Sequence, residues 1–595
     1  MRRKIGNLAG LVFCLAAVFL SWSGAWAMAS ETSWPGSFGA LTRPLPDLRA
    51  GEGEELVSIV GSRLRGSKNV PPLPARLKAD KEPRICFITI ADGEGKRKVA
   101  LGQGNGITQA LDRAVLSASS DPLSKVFRWV KLDFVKGARP LKGFEPAKPI
   151  DFDYSLFGIA VGASAETALL PEEIALLLDG KKQALPLDRA NALLEETRIL
   201  PKGIGIDRKA SVSAVFTTIS FFADGEKSWP LFRGNRPWES YSPRDVDTAL
   251  DFAGRYLAGA VKPDGSFVYL YDTYRNEQPK GYNILRHAGS VFSMLELFQL
   301  NKAPQLLVSS ERALAFLASH VREGKVSGKP VGFILEGNEV KLGGNALAIL
   351  AFAEYQRATG DRRYEKMALS LGDWILATQD TDGGFSVHKQ FHPGGKASSF
   401  RSEYYPGEAV FALARLHAIT GEKKWLDAAE SGALYQLRVF SKLPDSALPH
   451  DHWLLYGLRE IYGKRPRKEF LGGAMRFANV IVKAQHTDKN QPYPDWAGGY
   501  YVPPRSAPTA TRIEGLNSAY ALAVAGGHRK EAEAIRKAIE RGIGFLLRSQ
   551  VGPETALYCA APQKSLGAIR ESLHSPLVRI DYVQHAISAL IHHAP

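Results

Sequence analysis

From about Asp245 to the C-terminus, apolar residues fall at helical spacing in paired segments, and the pairing recurs six times. The first segment of each pair reads as a long amphipathic helix. The second reads as a shorter helix rich in Ala, Leu and Gly. The first helices are expected to start near Asp251, Glu311, Ser370, Glu430, Met475 and Arg541. The second are expected over Ile284–Gln299, Gly344–Thr359, Gly407–Thr420, Trp453–Tyr462, Glu514–Ala525 and Asp581–His592. The period is roughly 60 residues, which marks a repeat architecture. Six such hairpins can close into a ring, second helices inside, with the loops before them gathered at one end as a funnel.

The first half has a different pattern. Arg84–Ile90, Phe127–Val135, Ser155–Val161 and Val212–Phe222 are enriched in β-branched and aromatic residues and read as strands. Thr108–Ala118, Pro171–Leu178 and Leu187–Glu195 read as helices. Residues 66–235 are therefore expected to form an α+β domain behind a Gly/Pro/Ser-rich lead-in over 28–65. Its boundary with the helical part (236–595) falls where Pro230, Gly234, Pro237 and Pro243 punctuate the chain. Gly102, Gly104 and Gly106 lack the spacing of a dinucleotide fingerprint and read as a tight turn. This domain carries no assignable chemistry and is expected to pack on the ring or help shape its cleft.

Charge and targeting change the picture more than bulk composition does. Arg2, Arg3 and Lys4 precede an apolar stretch from about Leu8 to Leu20, and small-residue sites follow at Ala25–Ala27 and Ala27–Ala29. Residues 1–27 therefore read as a secretory signal peptide, and the mature protein as exported, periplasmic or extracellular. No later run is long and apolar enough for a stable membrane span. Without residues 1–27 the net charge falls from +15 to +12. An exported basic protein points away from nucleic acid and towards acidic polysaccharide, anionic lipid or cell-wall polymer. Cys86 and Cys559 then remain, one in each expected domain, and their pairing is left open.

The segments before the inner helices carry the candidate chemistry. They hold Tyr282 to Gly289 with Arg286 and His287, Lys341 to Asn345, Arg401 to Glu408, His450 to Trp453, Arg512 to Asn517, and Arg579 to His585. Helix N-termini suit anions, and converging polar groups in a concavity are the default active-site hypothesis. Helix capping and Arg–Glu ties between hairpins are the bland alternative. The recurring Arg286, Arg401, Arg512 and Arg579 fit a carboxylate-bearing sugar. Tyr282, Tyr405, His452, Trp453, Trp496 and Tyr501 offer flat faces for sugar rings. Glu403, Glu408, Tyr404, His287, Asp451 and Glu514 are the candidate proton-transfer groups, with Asp382 and Asp495 as further carboxylates. His450 and His452 stand at i, i+2 without a recognisable third ligand, so no metal and no cofactor is expected.

Tyr282 to Gly289 and Glu403 to Ala409 resemble the ring-facing helix starts of the six-hairpin glycosidase-like superfamily. So do the hairpin ends Ala358 to Tyr364 and Ile419 to Trp425. The resemblance spans roughly residues 245–595 and implies an (α/α)6 toroid after the α+β domain. Members include glycoside hydrolases, uronate-directed lyases and sugar epimerases, and one fold hosts many chemistries. The leading expectation is a glycoside hydrolase acting on an acidic polysaccharide or oligosaccharide. It would use Glu403 or Glu408 with Asp451 or Glu514 as the carboxylate pair. The alternatives are a uronate-directed lyase or C5-epimerase, or a non-catalytic glycan-binding protein of envelope assembly. A terpene-cyclase relationship, suggested by Asp382-Gly383-Gly384-Phe385, is disfavoured by the polar funnel and the lack of an aspartate-rich motif.

Overall fold

The computed structural model describes residues 37–41, 43–49, 51–178, 183–199, 203–207, 210 and 213–592. The expected signal peptide lies outside them. The first part is built on an antiparallel sheet. β1 (Pro83–Ala91), β2 (Arg97–Asn105), β3 (Trp129–Leu141), β4 (Gly158–Val161), β5 (Ala168–Leu169) and β6 (Ser213–Ala223) lie in the order β2-β1-β3-β6-β4-β5, and β7 (Ser228–Leu231) pairs with β6. Side chains of β1 alternate between two layers, as a strand's period of two requires. Cys86, Ile88 and Ile90 face α1 (Glu52–Leu64) and α2 (Ile107–Ser119), while Ile85 and Phe87 pack on the opposite side with Phe38 and Phe216. Helices α3 (Pro171–Leu177) and α4 (Leu187–Thr197) flank β4 and β2.

The glycine-rich run departs from the expected turn. Gly102 and Gly104 lie inside β2, and only Gly106 turns, at φ 97°. A Cβ on Gly102 would sit 1.9 Å from the Ala110 carbonyl oxygen. Glycine is needed there because α2 crosses β2 at backbone contact.

The second part is a ring of hairpins. Its outer helices are α5 (Pro243–Gly259), α7 (Pro304–Ala318), α9 (Glu365–Thr378), α11 (Lys423–Phe440), α13 (Lys468–Ala484) and α15 (Arg529–Ser549). Its inner helices are α6 (Ile284–Asn301), α8 (Leu342–Thr359), α10 (Tyr405–Thr420), α12 (His452–Tyr462), α14 (Ser506–Ala525) and α16 (Ile580–Ile591). Each inner helix packs on the next, and α16 packs back on α6, which closes the ring. The inner helices are buried almost all round, so they carry Ala, Gly and Leu on every face rather than one apolar stripe. The outer helices start five to twelve residues earlier than expected. In the first three hairpins the inner helix is the longer one, not the shorter.

The loops hold two sheets that helical periodicity does not reveal. β9 (Val321–Val326), β10 (Lys329–Glu336), β11 (Glu339–Lys341), β12 (Lys389–Phe391) and β13 (Lys396–Ala397) form a five-stranded sheet. β8 (Leu270–Asp272) pairs with β14 (Leu577–Arg579), which joins the first hairpin to the last at the funnel end. The two parts share a core, because Trp129, Phe222 and Trp229 of the sheet pack among the ring residues. Buried Arg570 also spans them, reaching Asn235 Oδ1 at 2.7 Å and the Arg548 carbonyl at 2.7 Å. Cys86 and Cys559 are both buried and free. No helix among the described residues is long and apolar enough to cross a membrane.

Candidate active site

The inner helices all point their N-termini at one end of the ring, and small residues let them crowd there. A Cβ on Gly343 would meet Glu408 Oε2 at 2.2 Å, one on Gly407 would meet Asp451 Oδ2 at 2.3 Å, and one on Gly289 would meet the Gln584 amide at 2.6 Å. Each glycine thus lets a polar side chain at the start of a neighbouring inner helix lie against backbone. The result is a cavity of about 440 Å³, within the usual size of a small-molecule site. Its walls include Arg286, Tyr404, Tyr405, Glu408, His452, Trp453, Tyr501, Arg505, Arg512, Glu571, Arg579, Asp581, Tyr582 and His585. No lining residue precedes Asn283, so the N-terminal sheet packs on the ring without lining this cavity.

Two imidazoles meet at the wall. The rings of His452 and His585 lie 5.2 Å apart between centroids and nearly perpendicular, at 82°. His452 is buried, and neither of its ring nitrogens has a hydrogen-bond partner. Burial, with His585 and Arg512 adding positive charge nearby, holds its pKa well below the usual imidazole value, so it is neutral at neutral pH. His585 Nδ1 lies 2.7 Å from Glu514 Oε1, and the Tyr456 hydroxyl donates to Glu514 Oε2 at 3.2 Å. Burial raises the Glu514 pKa, and the His585 contact opposes that rise. A carboxylate at Glu514 accepts both donors at once. Nδ1 of His585 then carries the proton, and Nε2 keeps a free lone pair.

The carboxyls divide into two kinds. Glu408 is buried in the wall with Oε2 unpartnered. Burial, and then the Asp451 charge, push its pKa well above the usual carboxylate range and keep it protonated. Asp451 lies behind it, caps α12 by accepting from Leu454 N at 3.1 Å, and is pushed up to about 8 by burial. Asp581 instead takes two guanidinium contacts from Arg579, at 2.5 and 2.9 Å, and one from Arg286 at 3.0 Å. Arg512 donates to His450 Nδ1 at 2.7 Å and to the Tyr501 hydroxyl at 3.0 Å. His450 is correspondingly neutral, its pKa lowered to about 4 by burial and by Arg512. Four arginines thus face Asp581, Glu571 and a neutral Glu408.

Of the residues expected from sequence, the cavity brings together Glu408, Tyr404, Tyr405, Arg286, His452, Trp453, Arg512 and Arg579. Asp451 and Glu514 stand directly behind its wall. Glu403 is exposed outside it. His287 faces away, since its Nδ1 meets the Tyr282 hydroxyl at 2.7 Å and its Nε2 the Ala313 carbonyl at 2.9 Å. That pairing consumes both His287 and Tyr282 as packing groups. Arg401 is exposed and folds back on the carbonyls of Ser398 and Phe400. Trp496 is drawn into an apolar cluster with Phe545 and Leu573, away from the funnel. Asp382 binds Gly384 N in a surface turn, and Asp495 is buried against Arg233. Tyr501, expected as one of the flat aromatic faces, also lines the cavity, and so do Asp581 and His585, which were expected only as members of the run Arg579 to His585, with no role of their own. Asp581 and His585 stand four apart on α16, one turn of one face.

The donor atoms of His452, Glu514 and His585 lie within 4.8 Å of one another, the residue types of a zinc site. The Glu514–His585 separation of 2.7 Å is a hydrogen bond, whereas two ligands of a tetrahedral zinc stand about 3.3 Å apart. In this arrangement, the Glu514 contact orients the His585 imidazole.

The six inner and six outer helices close into an (α/α)6 ring. No family model and no curated protein matches the chain. Among solved structures it is similar to a GH76 alpha-mannanase from Bacteroides thetaiotaomicron, with 11% identity over 59% of this chain and 95% of the other, at a TM-score of 0.42. It is also similar to a cellobiose 2-epimerase from Bacillus thermoamylovorans, with 11% identity over 58% and 98%, at a TM-score of 0.46. A D-mannose isomerase gives 13% identity over 59% and 99%, at a TM-score of 0.43.

Proposed function

We propose that the protein is an exported, periplasmic or extracellular, carbohydrate-active enzyme whose site is the funnel of the toroid formed by residues 236–595. In this reading residues 1–27 are its signal peptide, and residues 66–235 form an α+β domain that packs on the ring and supports it. It moves a proton on a sugar that carries a carboxylate, as a uronate C5-epimerase or lyase does. The observation that carries this reading is the imidazole pair: a neutral, unpartnered His452 facing a His585 that Glu514 orients. His585 Nε2 removes the proton beside the sugar carboxylate, and Glu514 stabilises the imidazolium that forms. Arg286, Arg512 and Arg579 neutralise the carboxylate as charge develops on it. Glu408, held protonated, and His452 line the wall and are the candidate donors. Return of a proton to the opposite face gives the epimer, and loss of the C4 substituent gives the unsaturated product.

Glycoside hydrolysis is the second reading, and the protonated Glu408 favours it as general acid. Its weakness is the partner carboxylate, because Asp581 is already held by Arg579 and Arg286. The experiment is to incubate the mature protein with uronic and neutral mono- and oligosaccharides. Ring-proton NMR, ultraviolet absorbance of a new C=C bond and reducing ends are followed together. A changed C5 configuration, or an ultraviolet rise on uronates, supports proton transfer. Reducing ends without that rise support hydrolysis and overturn the first reading.

A further inference from the structure

The mouth of the cavity carries one group that the reaction above does not use. Tyr501 is a non-glycine residue held at φ 74°, in the left-handed region where a side chain is strained. It is nevertheless fixed: its carbonyl takes a contact from His486 Nε2 at 2.6 Å, and its hydroxyl receives Arg512 at 3.0 Å. The ring is half exposed and stands between two guanidinium groups, Arg512 at 4.9 Å and Arg505 at 5.5 Å from its centroid. Across the mouth Tyr404 is also partly exposed, at 38%, and neighbours His452 at 6.3 Å. Two lining arginines meet no carboxylate among the described residues, Arg505 and Arg512: Arg286 and Arg579 are held by Asp581, and Arg512 is fixed by His450 and Tyr501, so Arg505 is the one left without a side-chain hydrogen-bond partner there. Glu571 lines the same cavity and accepts from Ser575 Oγ at 3.4 Å.

Resting on the functional reading above, we infer that Tyr501 and Arg505 form a second sugar subsite at the mouth, with Tyr404 opposite. It takes the unit next to the one being acted on, and that unit also bears a carboxylate. The substrate is then the end of an acidic oligosaccharide or polysaccharide, with its terminal ring in the pocket and the next ring on the Tyr501 face. The aromatic face supplies stacking, and the free guanidinium supplies a planar fork for the second carboxylate. A backbone strained to hold an exposed aromatic at a cavity mouth is the kind of local cost found where a ligand is clamped.

The test is calorimetric binding of galacturonate, digalacturonate and trigalacturonate, beside galactobiose as the neutral dimer, to the mature protein. The same titrations are run on Tyr501→Gly, which suits the left-handed backbone, and on Arg505→Gln. Digalacturonate should bind roughly tenfold tighter than galacturonate, from one stack and one charge-assisted contact. Trigalacturonate should add little. Tyr501→Gly should collapse the dimer-to-monomer ratio towards one. Arg505→Gln should remove the preference for digalacturonate over galactobiose. Equal binding of monomer and dimer by the wild type, or an unchanged ratio in both variants, overturns the subsite while leaving the pocket reading intact. Failure of every saccharide to bind overturns the functional reading itself.

Discussion

Replacing Glu514 by Gln should disable the enzyme without unfolding it. Glu514 is 1% exposed and touches two donors, His585 Nδ1 through one oxygen and the Tyr456 hydroxyl through the other. Gln has the same shape but a single acceptor oxygen. If that oxygen stays with Tyr456, the amide NH2 faces His585 Nδ1. Nδ1 must then accept, so the imidazole proton moves to Nε2 and the lone pair that would take the substrate proton is lost. A hydrogen bond to a charged group contributes about 1.5–3 kcal/mol, and each 1.36 kcal/mol is tenfold in rate, so kcat should fall roughly 10- to 150-fold. KM should change little, because Glu514 stands behind the wall. The fold should survive, since the variant also relieves the cost of a buried charge. The assay is steady-state turnover of the uronate identified by NMR, with thermal melting of both proteins. An unchanged kcat in a well-folded Glu514→Gln would refute the role given to His585, and so would a loss confined to KM.

Four further outcomes are expected. Glu403→Gln should turn over like the wild type, because Glu403 is exposed outside the cavity; a large loss of kcat would contradict that placement. The second concerns Asp451, whose folded pKa is raised from 3.8 to about 8, so the native state binds the extra proton between those values and its stability falls as pH rises through that window. Asp451→Asn keeps the helix cap, so its melting temperature relative to wild type should climb from pH 4 to pH 8, and a difference independent of pH would exclude a buried neutral Asp451. Gly102→Ala should lower the denaturation midpoint by about 1–3 kcal/mol of stability through the clash with the Ala110 carbonyl, and an unchanged midpoint would contradict the close approach of α2 to β2. Arg570→Ala, which strands several buried carbonyls and Asn235, should cost about 3–5 kcal/mol; a loss below 1 kcal/mol, measured by urea unfolding, would show that the seam between sheet and ring does not depend on it.

The repeat was legible because each inner helix must be small and apolar on all sides, and that composition recurs at a fixed period. Its edges were less so. The fifth inner helix was expected to begin at Glu514 but begins at Ser506, with Pro508 in its first turn, where the missing N–H costs no helical bond. Gly102 and Gly104 looked like a turn because strand glycines and turn glycines are identical in sequence, and only the approach of α2 distinguishes them. The strands from Val321 to Lys341 are short, interrupted by Ser327-Gly328 and Gly337-Asn338, and lack a clean period of two, so they do not stand out from loop. At the site, sequence could place polar groups before each inner helix but not choose among them. His287 was expected to face the funnel, and packing turned it to the Ala313 carbonyl instead. His452 and His585 are 133 positions apart, and they become neighbours only because α12 and α16 both flank α14 in the ring.

The most direct test of the proton-transfer reading is the fate of solvent deuterium. Mature protein is incubated in D2O with the uronate that binds it, and the sugar is examined by NMR and mass spectrometry. The account predicts one deuterium at the carbon beside the carboxylate, and its loss in both Glu514→Gln and His585→Asn. Turnover of the same sugar with that carbon still fully protonated would contradict it.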